Sequence, residues 1–212
     1  MLRECAKHGY FRGWECPQCG EHGKFMMDGD ELEKVGRTLA GVLRHFPSLF
    51  GLEMDPQGWV NVESLVDAIR RKNPKMHWLR EHHIHAIATT DPKGRYEIDE
   101  KEKKIRATYG HSLDLELDLP TSPIPDVLYY PTTDEEVELL LERGLRPQER
   151  TRIHLSGTQE QAVAAGKVST EEPVVLKVNA KKAIKDGVII QKAGKVLYVA
   201  KEIPKKYLSI VD

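Results

Sequence analysis

Apolar residues recur at spacings of three and four in the first half of the chain. Leucine, valine and phenylalanine follow this spacing from residue 32 to 46, which predicts an amphipathic helix that stops before Pro47. A second such helix is expected over 62–69, with Asn61 as its N-cap, and a third from about 77 to 88. The two segments that follow, R-Y-E-I-D and K-K-I-R-A-T-Y, have the composition of short strands.

The pattern changes after Gly110, where short apolar segments alternate with turns. D-E-E-V-E-L-L-L predicts one helix that ends at Gly144, and a short helix is expected near 158–165. The remaining apolar segments read as strands: V-L-Y-Y, R-I-H-L-S, P-V-V-L-K-V-N, G-V-I-I-Q and K-V-L-Y-V-A. Many strands with few helices favour an α+β lobe built on antiparallel sheet.

Three domains follow from these elements. Residues 1–28 form a small N-terminal segment rich in cysteine and glycine. Residues 29–112, with helices followed by a β-hairpin, have the element order of a winged-helix lobe, an architecture often used on nucleic acids. Residues 113–212 form the antiparallel α+β lobe. The predicted fold class is therefore α+β.

The N-terminal segment carries the spacing of a zinc ribbon. Cys5, His8, Cys16 and Cys19 follow the pattern C-x2-H-x7-C-x2-C, in which two tight turns supply two ligands each. His22 is an alternative to His8, although it lies outside the paired turns. A site with four protein ligands is closed, so the predicted zinc is structural rather than catalytic.

Composition narrows the function class. The chain has 212 residues, 40% of them hydrophobic, and a net charge of −1 with 31% charged residues. This length supports a real core, while the balanced charge excludes a globally basic nucleic-acid coat protein but allows a local basic cleft. We find no apolar run near the roughly 18 residues of a membrane span and no signal-peptide layout. We expect a cytoplasmic protein that does not associate with membranes.

The residues that could take part in catalysis or binding lie in four basic stretches, each at the end of a predicted element. They are Arg44-His45, Arg95, Gly110-His111-Ser112, and residues 150–154. Each has a structural alternative, such as offsetting a helix dipole or pairing with a carboxylate. Several arginines in one cleft would suit a phosphate-bearing substrate, because guanidinium forks match phosphate oxygens. The sequence shows no nucleophile-base arrangement and no acidic cluster for catalytic magnesium.

An ordered set of motifs from residue 30 to 210 resembles the RNA 2′-phosphotransferase family. The matching segments are L-R-H at 43–45, D-x-x-G-W-V at 55–60, G-R-Y-E-I at 94–98, G-H-S at 110–112, L-Y at 128–129, the R-G-L turn, R-T-R-I-H-L-S at 150–156 and P-V-V-L at 173–176. The N-terminal ribbon lies outside the family core and looks like an archaeal-type extension.

The resemblance implies a winged-helix RNA-binding lobe and an ADP-ribosyltransferase-like NAD-binding lobe. It also implies that the 2′-phosphate of RNA, of the tRNA splice-junction type, is transferred to NAD⁺ as co-substrate. The products would be 2′-OH RNA, nicotinamide and ADP-ribose 1″,2″-cyclic phosphate, and the enzyme is expected to be a monomer. The implied catalytic residues are Arg44, His45, Arg95 and Arg150, with Arg152 as the alternative to Arg150.

By the same resemblance, seven residues are expected to bind the co-substrate: Gly110, His111, Ser112, Tyr130, Thr132, His154 and Ser156. One departure lies among them, since the family usually has L-Y-H-G-T where this chain has L-Y-Y-P-T at 128–132. Pro131 removes a backbone N–H at this position. Two alternatives therefore stay open: a nucleic-acid-binding protein with a weakened transferase lobe, and an ADP-ribosyltransferase with a different acceptor.

Overall fold

A computed structural model describes residues 1–148 and 150–211 and divides the chain into two compact units, Met1–Leu117 and Asp118–Asp212. Both units combine helices with antiparallel sheets, so the predicted α+β class is confirmed. The first unit extends to Leu117 because Leu115 and Leu117 pack against the turn at Gly58. There the Glu116 N–H also donates to the Pro56 carbonyl at 2.9 Å.

Three short strands form the N-terminal ribbon: β1 Leu2–Cys5, β2 Gly9–Arg12 and β3 Lys24–Met27, in the antiparallel order β2-β1-β3. Its residues divide between two apolar clusters. Cys5, Phe11 and Cys16 pack with one another, whereas Leu2 and Met27 join the core of the helices that follow. The ribbon is therefore packed onto the rest of the first unit by its own buried side chains.

Helix α1, Gly29–Arg44, confirms the first predicted helix. Asp28 caps its N-terminus by accepting from the Glu31 N–H, and the Glu31 side chain accepts from the Asp28 N–H in return. The buried face carries valine and leucine at helical spacing, as the pattern required. The helix ends at Arg44 with His45 as its C-cap, so both candidate residues lie where the helix stops.

The remainder of the first unit consists of β4 Val60–Asn61, α2 Val62–Lys72, α3 Glu81–Thr89, β5 Tyr96–Asp99 and β6 Lys104–Ala107. The strands form an antiparallel sheet in the order β4-β6-β5. The start of α3 was predicted near residue 77 and lies at Glu81. Pro74 begins a separate 3-10 turn, and the Arg80 N–H donates to His83 Nδ1 at 3.0 Å, which starts the helix later.

The second unit has six strands and three helices within its described residues. They are β7 Val127–Thr132, α4 Asp134–Arg143, β8 Ile153–Ser156, α5 Gln159–Gly166, β9 Val174–Asn179, α6 Ala180–Lys185, β10 Ile190–Lys192, β11 Leu197–Ala200 and β12 Leu208–Ile210. The strands form one antiparallel sheet in the order β10-β11-β8-β7-β9-β12. Helix α6 and strand β12 have no counterpart among the predicted elements.

Each unit has its own hydrophobic core. In the first unit α1, α2 and α3 bury their apolar faces together with Ile105 and Ala107 of β6. In the second, inward-facing residues of the central strands pack with Val137 of α4 and Ala183 of α6. Among the described residues, no helix combines the length and apolar character needed to cross a membrane.

Candidate active site

Arg44 lies at the C-terminal end of α1 in a tightly packed setting. Its guanidinium carbon is 4.8 Å from the centre of the Tyr109 ring, a cation–π contact. A Cβ on Gly110 would come within 3.2 Å of that same carbon, and Gly110 has a φ of +84°, so only glycine allows this approach. Within the described residues, the buried Nε and Nη2 of Arg44 have no hydrogen-bond partner. Arg44 therefore has two buried donors of the kind that an anion could satisfy.

His45 is linked to the G-H-S segment. Its Nδ1 is 3.0 Å from Ser112 Oγ, and the Ser112 N–H donates to the Arg44 carbonyl at 3.2 Å. These two contacts join the end of α1 to residues 110–112. His111 is buried, with a Cβ on Gly58 placed 3.9 Å from its Nε2. The structure thus brings Arg44, His45 and the whole G-H-S segment together.

Arg95 is clamped by Asp91, whose side chain is fully buried. Arg95 Nε donates to both carboxylate oxygens at 3.1 Å, and Nη2 donates to Oδ1 at 2.6 Å. The Arg95 N–H also donates to Oδ2 at 2.7 Å. Asp91 therefore fixes both the backbone and the Nε–Nη2 edge of Arg95.

The charges of this region act on one another. Burial lowers the pKa of Arg44, and the positive charge of Arg95 lowers it further. The hydrogen bond to Asp91 raises the pKa of Arg95. Burial alone would raise the pKa of Asp91, but the hydrogen bonds and charge of Arg95 outweigh it and the pKa is lowered. Arg44 and Arg95 therefore form one positively charged cluster in the first unit, in which both guanidiniums stay charged.

A cavity of about 230 Å³ is lined by several of the candidate residues of the second unit. Strands β7 and β9 pair along their whole length, whereas β7 and β8 pair only at Tyr129 and Ser156. The cavity lies where β7 and β8 diverge beyond that pair. Its lining residues are Tyr130, Arg146, Pro147, Gln148, Arg150, Arg152, Ile153 and His154.

Two of the four predicted co-substrate residues of this unit do not line the cavity. Thr132 is buried and its hydroxyl donates to Glu136 Oε2 at 3.1 Å. Ser156 is buried in the sheet opposite Tyr129. His154 and Tyr130 do line the cavity, and burial raises the pKa of Tyr130.

Arg150 and Arg152 both line this cavity, but their settings differ. Arg152 Nη1 donates to Gln191 Oε1 at 2.6 Å, and Gln191 Nε2 donates to the Leu119 carbonyl at 3.1 Å. Gln191 thus holds the Arg152 guanidinium against strand β10. Arg150 lies on the exposed chain segment that precedes β8.

The four predicted metal ligands come together in the ribbon. Cys5 Sγ is 3.6 Å from His8 Nδ1 and 3.7 Å from Cys19 Sγ, and Cys16 Sγ is 3.4 Å from His8 Nδ1. Tetrahedral zinc with ordinary bond lengths requires S···S near ~3.8 Å and S···N near ~3.6 Å, so the ligand atoms fit such an ion. All four lie within 4.8 Å of one another, and His22 is not among them.

Several residues of these sites escaped sequence reasoning. Asp91 and Tyr109 flank the first-unit arginines, and Arg146 and Gln191 belong to the second-unit cavity. Asp91 stands at the start of a D-P-K-G turn four residues before Arg95, a spacing that offered a usable signal. Gln191 reaches Arg152 across 39 residues, and nothing in the local sequence marks that contact.

The chain is similar in sequence to known proteins over most of its length. Residues 30–202 match the family model described as "RNA 2'-phosphotransferase, Tpt1 / KptA family". A protein of Methanosarcina barkeri, named "Probable RNA 2'-phosphotransferase", is 42% identical over 212 residues, covering 100% of both chains. "Probable RNA 2'-phosphotransferase 1" of Archaeoglobus fulgidus is 43% identical over 208 residues, 98% of this chain and 93% of its own. This chain therefore belongs to the RNA 2′-phosphotransferase family.

Proposed function

We propose that the protein removes the 2′-phosphate of RNA by transferring it to NAD⁺. The observation that carries this proposal is the first-unit cluster, in which Arg44 presents two buried donors beside Gly110 while His45 and Arg95 lie in the same unit. Family membership supports a transferase that acts on an RNA 2′-phosphate. We further propose that the RNA is of the tRNA splice-junction type and that the enzyme acts as a monomer.

The order of elements supports the predicted lobes. In the first unit a helix, a short strand, two helices and a hairpin follow one another, and β4 pairs with the second hairpin strand, an arrangement typical of a winged helix. In the second unit a six-stranded antiparallel sheet has a cavity where two central strands diverge. We assign the RNA to the first lobe and the larger part of NAD⁺ to the second, ADP-ribosyltransferase-like lobe.

The proposed reaction has two steps. In the first, an oxygen of the RNA 2′-phosphate bonds to C1″ of the nicotinamide ribose, and nicotinamide leaves with the electron pair of the broken C–N bond. In the second, the ribose 2″-OH attacks the phosphorus, the bond to the RNA 2′-oxygen breaks, and that oxygen takes a proton. The products are 2′-OH RNA and ADP-ribose 1″,2″-cyclic phosphate.

Four side chains have assigned roles in these steps. Arg44 and Arg95 bind phosphate oxygens, because both guanidiniums are held in place before any substrate arrives. Arg150 supplies a further charge-assisted contact. His45 handles the proton that moves from the 2″-OH to the leaving 2′-oxygen, and Ser112 orients its ring through Nδ1. The arginine contacts strengthen as charge shifts on the phosphate.

The second-unit cavity has the chemistry that NAD⁺ needs. Arg146 and Arg152 can offset a diphosphate, and the Tyr130 ring offers a surface on which a base or ribose can pack. Pro131, the departure from the family pattern, contributes to packing instead, since a Cβ on Gly166 would lie 2.9 Å from Pro131 Cβ. Gly110, His111, Ser112, Thr132, His154 and Ser156 stay proposed co-substrate residues.

The ribbon cluster is proposed to hold structural zinc. Three thiolates and one imidazole fill a tetrahedral shell, which leaves no open position for a substrate. The ion would supply no catalytic step here. Its contribution would be to fix the two turns that enclose β2, a segment too short to fold independently.

A product assay tests the proposed function. The protein is incubated with a 2′-phosphorylated oligonucleotide, with and without NAD⁺ labelled in the adenylate. We expect loss of the 2′-phosphate only with NAD⁺, together with labelled ADP-ribose 1″,2″-cyclic phosphate. Loss of phosphate without NAD⁺ would make the protein a simple phosphatase. RNA binding with no turnover would leave the nucleic-acid-binding alternative.

A further inference from the structure

The metal-binding ribbon reaches the predicted phosphate-binding region through one side chain, Arg12. Arg12 is the last residue of β2 and lies between the ligands His8 and Cys16 in the chain. It lies outside residues 30–202, the part that matches the family model. Its side chain is directed away from the ribbon and onto the end of α3.

Three contacts define where the Arg12 guanidinium lies. Nε donates to Thr90 Oγ1 at 3.1 Å, and Nη2 donates to the Ile87 carbonyl at 3.4 Å. Nη2 also lies 3.9 Å from Asp91 Oδ1. One guanidinium therefore holds the last turn of α3 and the carboxylate directly after it.

That carboxylate is the one that clamps Arg95. Asp91 has no exposed side-chain surface, and it accepts from the Arg95 N–H, Nε and Nη2. A buried carboxylate with two guanidiniums around it is held from both sides, and its position sets that of the flexible side chain it grips. The chain from Asp91 to Arg95 is a tight turn, closed by the Gly94 N–H donating to the Asp91 carbonyl at 3.2 Å.

We propose that Arg12 is a positioning residue for Arg95, acting through Asp91. The ribbon is then a brace for the phosphate-binding arginine, and not a separate appendage. The proposal rests on the proposed function, because only there is Arg95 assigned to the reaction. In physical terms, Arg12 fixes the end of α3 and the Asp91 carboxylate. Asp91 then holds the Arg95 guanidinium in place before RNA binds.

The ribbon contains a matched control. Arg3 lies on β1 and donates to the Gly23 carbonyl at 2.8 Å, and its guanidinium lies 5.5 Å from the Trp14 ring centre. All these partners are within the ribbon. Arg3→Ala therefore removes an equal charge and similar packing from the same sheet without touching α3 or Asp91.

The experiment compares Arg12→Ala, Arg12→Lys and Arg3→Ala in the full-length protein. With a 2′-phosphorylated oligonucleotide and NAD⁺, we expect Arg12→Ala to lower kcat about 10-fold with a smaller change in KM, because misplacing a transition-state contact costs rate more than binding. Arg12→Lys should recover part of the loss, and Arg3→Ala should stay within about two-fold of the parent. In an Arg95→Ala background, Arg12→Ala should have no further effect.

A second readout does not depend on turnover. The ¹H–¹⁵Nε resonance of Arg95 should shift or broaden in Arg12→Ala and stay in place in Arg3→Ala. If Arg12→Ala does not fold, Thr90→Val removes the acceptor of Arg12 Nε while leaving the ribbon intact, and a smaller change of the same resonance is expected. The proposal would be overturned if the Arg95 resonance did not move in Arg12→Ala. It would also be overturned if the fold decrease in kcat of the double variant equalled the product of the decreases in Arg12→Ala and Arg95→Ala. A parent without activity but with the expected resonance change would count against the proposed function alone.

Discussion

The two units hold their candidate arginines in different ways. In the first unit Arg44 is stacked on Tyr109 and covered by Gly110, and Arg95 is gripped by a buried carboxylate. In the second, Arg150 lies on an exposed segment at the edge of a cavity between diverging strands. The first arrangement is preorganised, since protein contacts hold both guanidiniums in place. The second places an exposed arginine beside an open cavity.

This difference suggests a division of labour. A fixed pair of guanidiniums suits a small, highly charged group whose position decides the rate. A cavity with several cations and one aromatic ring suits the charged and ring-bearing part of a long co-substrate, although at about 230 Å³ it is too small to enclose the whole molecule. Substitutions in the two units should therefore have different consequences for stability even where they have similar consequences for rate.

The largest expected effects are those of Arg95→Ala and Arg150→Ala, which should be similar in rate but different in stability. Arg95→Ala and Arg150→Ala should each lower the rate of 2′-phosphate removal on the order of 10²–10³-fold, by analogy with other preorganised donors. Arg95→Ala should in addition destabilise the protein by about 2 kcal/mol, because the buried Asp91 carboxylate loses the guanidinium that pairs with it and keeps the backbone N–H of residue 95 and the more distant Arg12. Arg150→Ala should leave stability nearly unchanged. Single-turnover kinetics and urea unfolding measure the two quantities.

The matched control is Arg152→Ala, which should slow the reaction less than Arg150→Ala, since Gln191 holds Arg152 on the sheet. If Arg152→Ala slowed 2′-phosphate removal and Arg150→Ala did not, the role proposed for Arg150 would belong to Arg152. If an arginine serves mainly the second step, its removal should let RNA carrying adenylate label accumulate, visible as a slower-migrating band over time. Equal stability losses in Arg95→Ala and Arg150→Ala would contradict the contrast between the units.

A smaller effect on rate is expected from the ribbon. Cys16→Ser combined with Cys19→Ser should lose one equivalent of zinc by elemental analysis, because both thiolates belong to the four-ligand cluster. Since β2 lies between His8 and Cys16, activity should fall about as far as in Arg12→Ala, roughly 10-fold. His22→Ala should keep its zinc. An unchanged zinc content in the double cysteine variant would contradict the proposal that Cys16 and Cys19 bind zinc.

The sequence predicted elements and motif positions better than it predicted contacts. Apolar spacing and Pro47 predicted helix α1 and its C-terminal end, where Arg44 and His45 lie. Helix α6 and strand β12 were missed, because A-K-K-A-I-K is short and polar and β12 has three residues. Such elements are fixed by pairing with β9 and packing in the core, which local pattern does not encode.

Contacts between distant segments explain what else the sequence concealed. Arg12 meets Thr90 across 78 residues, and Arg12 looks like an ordinary strand-end cation in the sequence. The G-H-S segment could be identified as a motif, but not the Ser112 contact with His45 across 67 residues. Spacing identified the Cys/His cluster that could hold a metal ion, because metal binding demands a fixed separation of side chains.

The prediction with the smallest expected effect on activity at neutral pH concerns His83, a buried residue of the first unit. Its effect is on stability in acid. Burial, together with His82 and Arg80, lowers the pKa of His83 from 6.5 to about 4. As pH falls from 6.5 to 4, the unfolded chain takes up a proton that the folded chain cannot, so the free energy of unfolding decreases across this window. The expected loss is about 3 kcal/mol, with the first unit affected.

Substitution by glutamine isolates this effect. In His83→Gln the side-chain oxygen can still accept from the Arg80 N–H at the start of α3, but it does not titrate. We expect this variant to lose most of the pH dependence between 6.5 and 4, whereas His82→Gln, at an exposed position, should keep most of it, because burial is the largest cause of the lowered pKa of His83. Urea unfolding followed by tryptophan fluorescence is suited to the test, because all three tryptophans lie in the first unit and the Trp78 ring is 5.2 Å from that of His83. An equal pH slope in the parent and His83→Gln would show that another group controls acid stability.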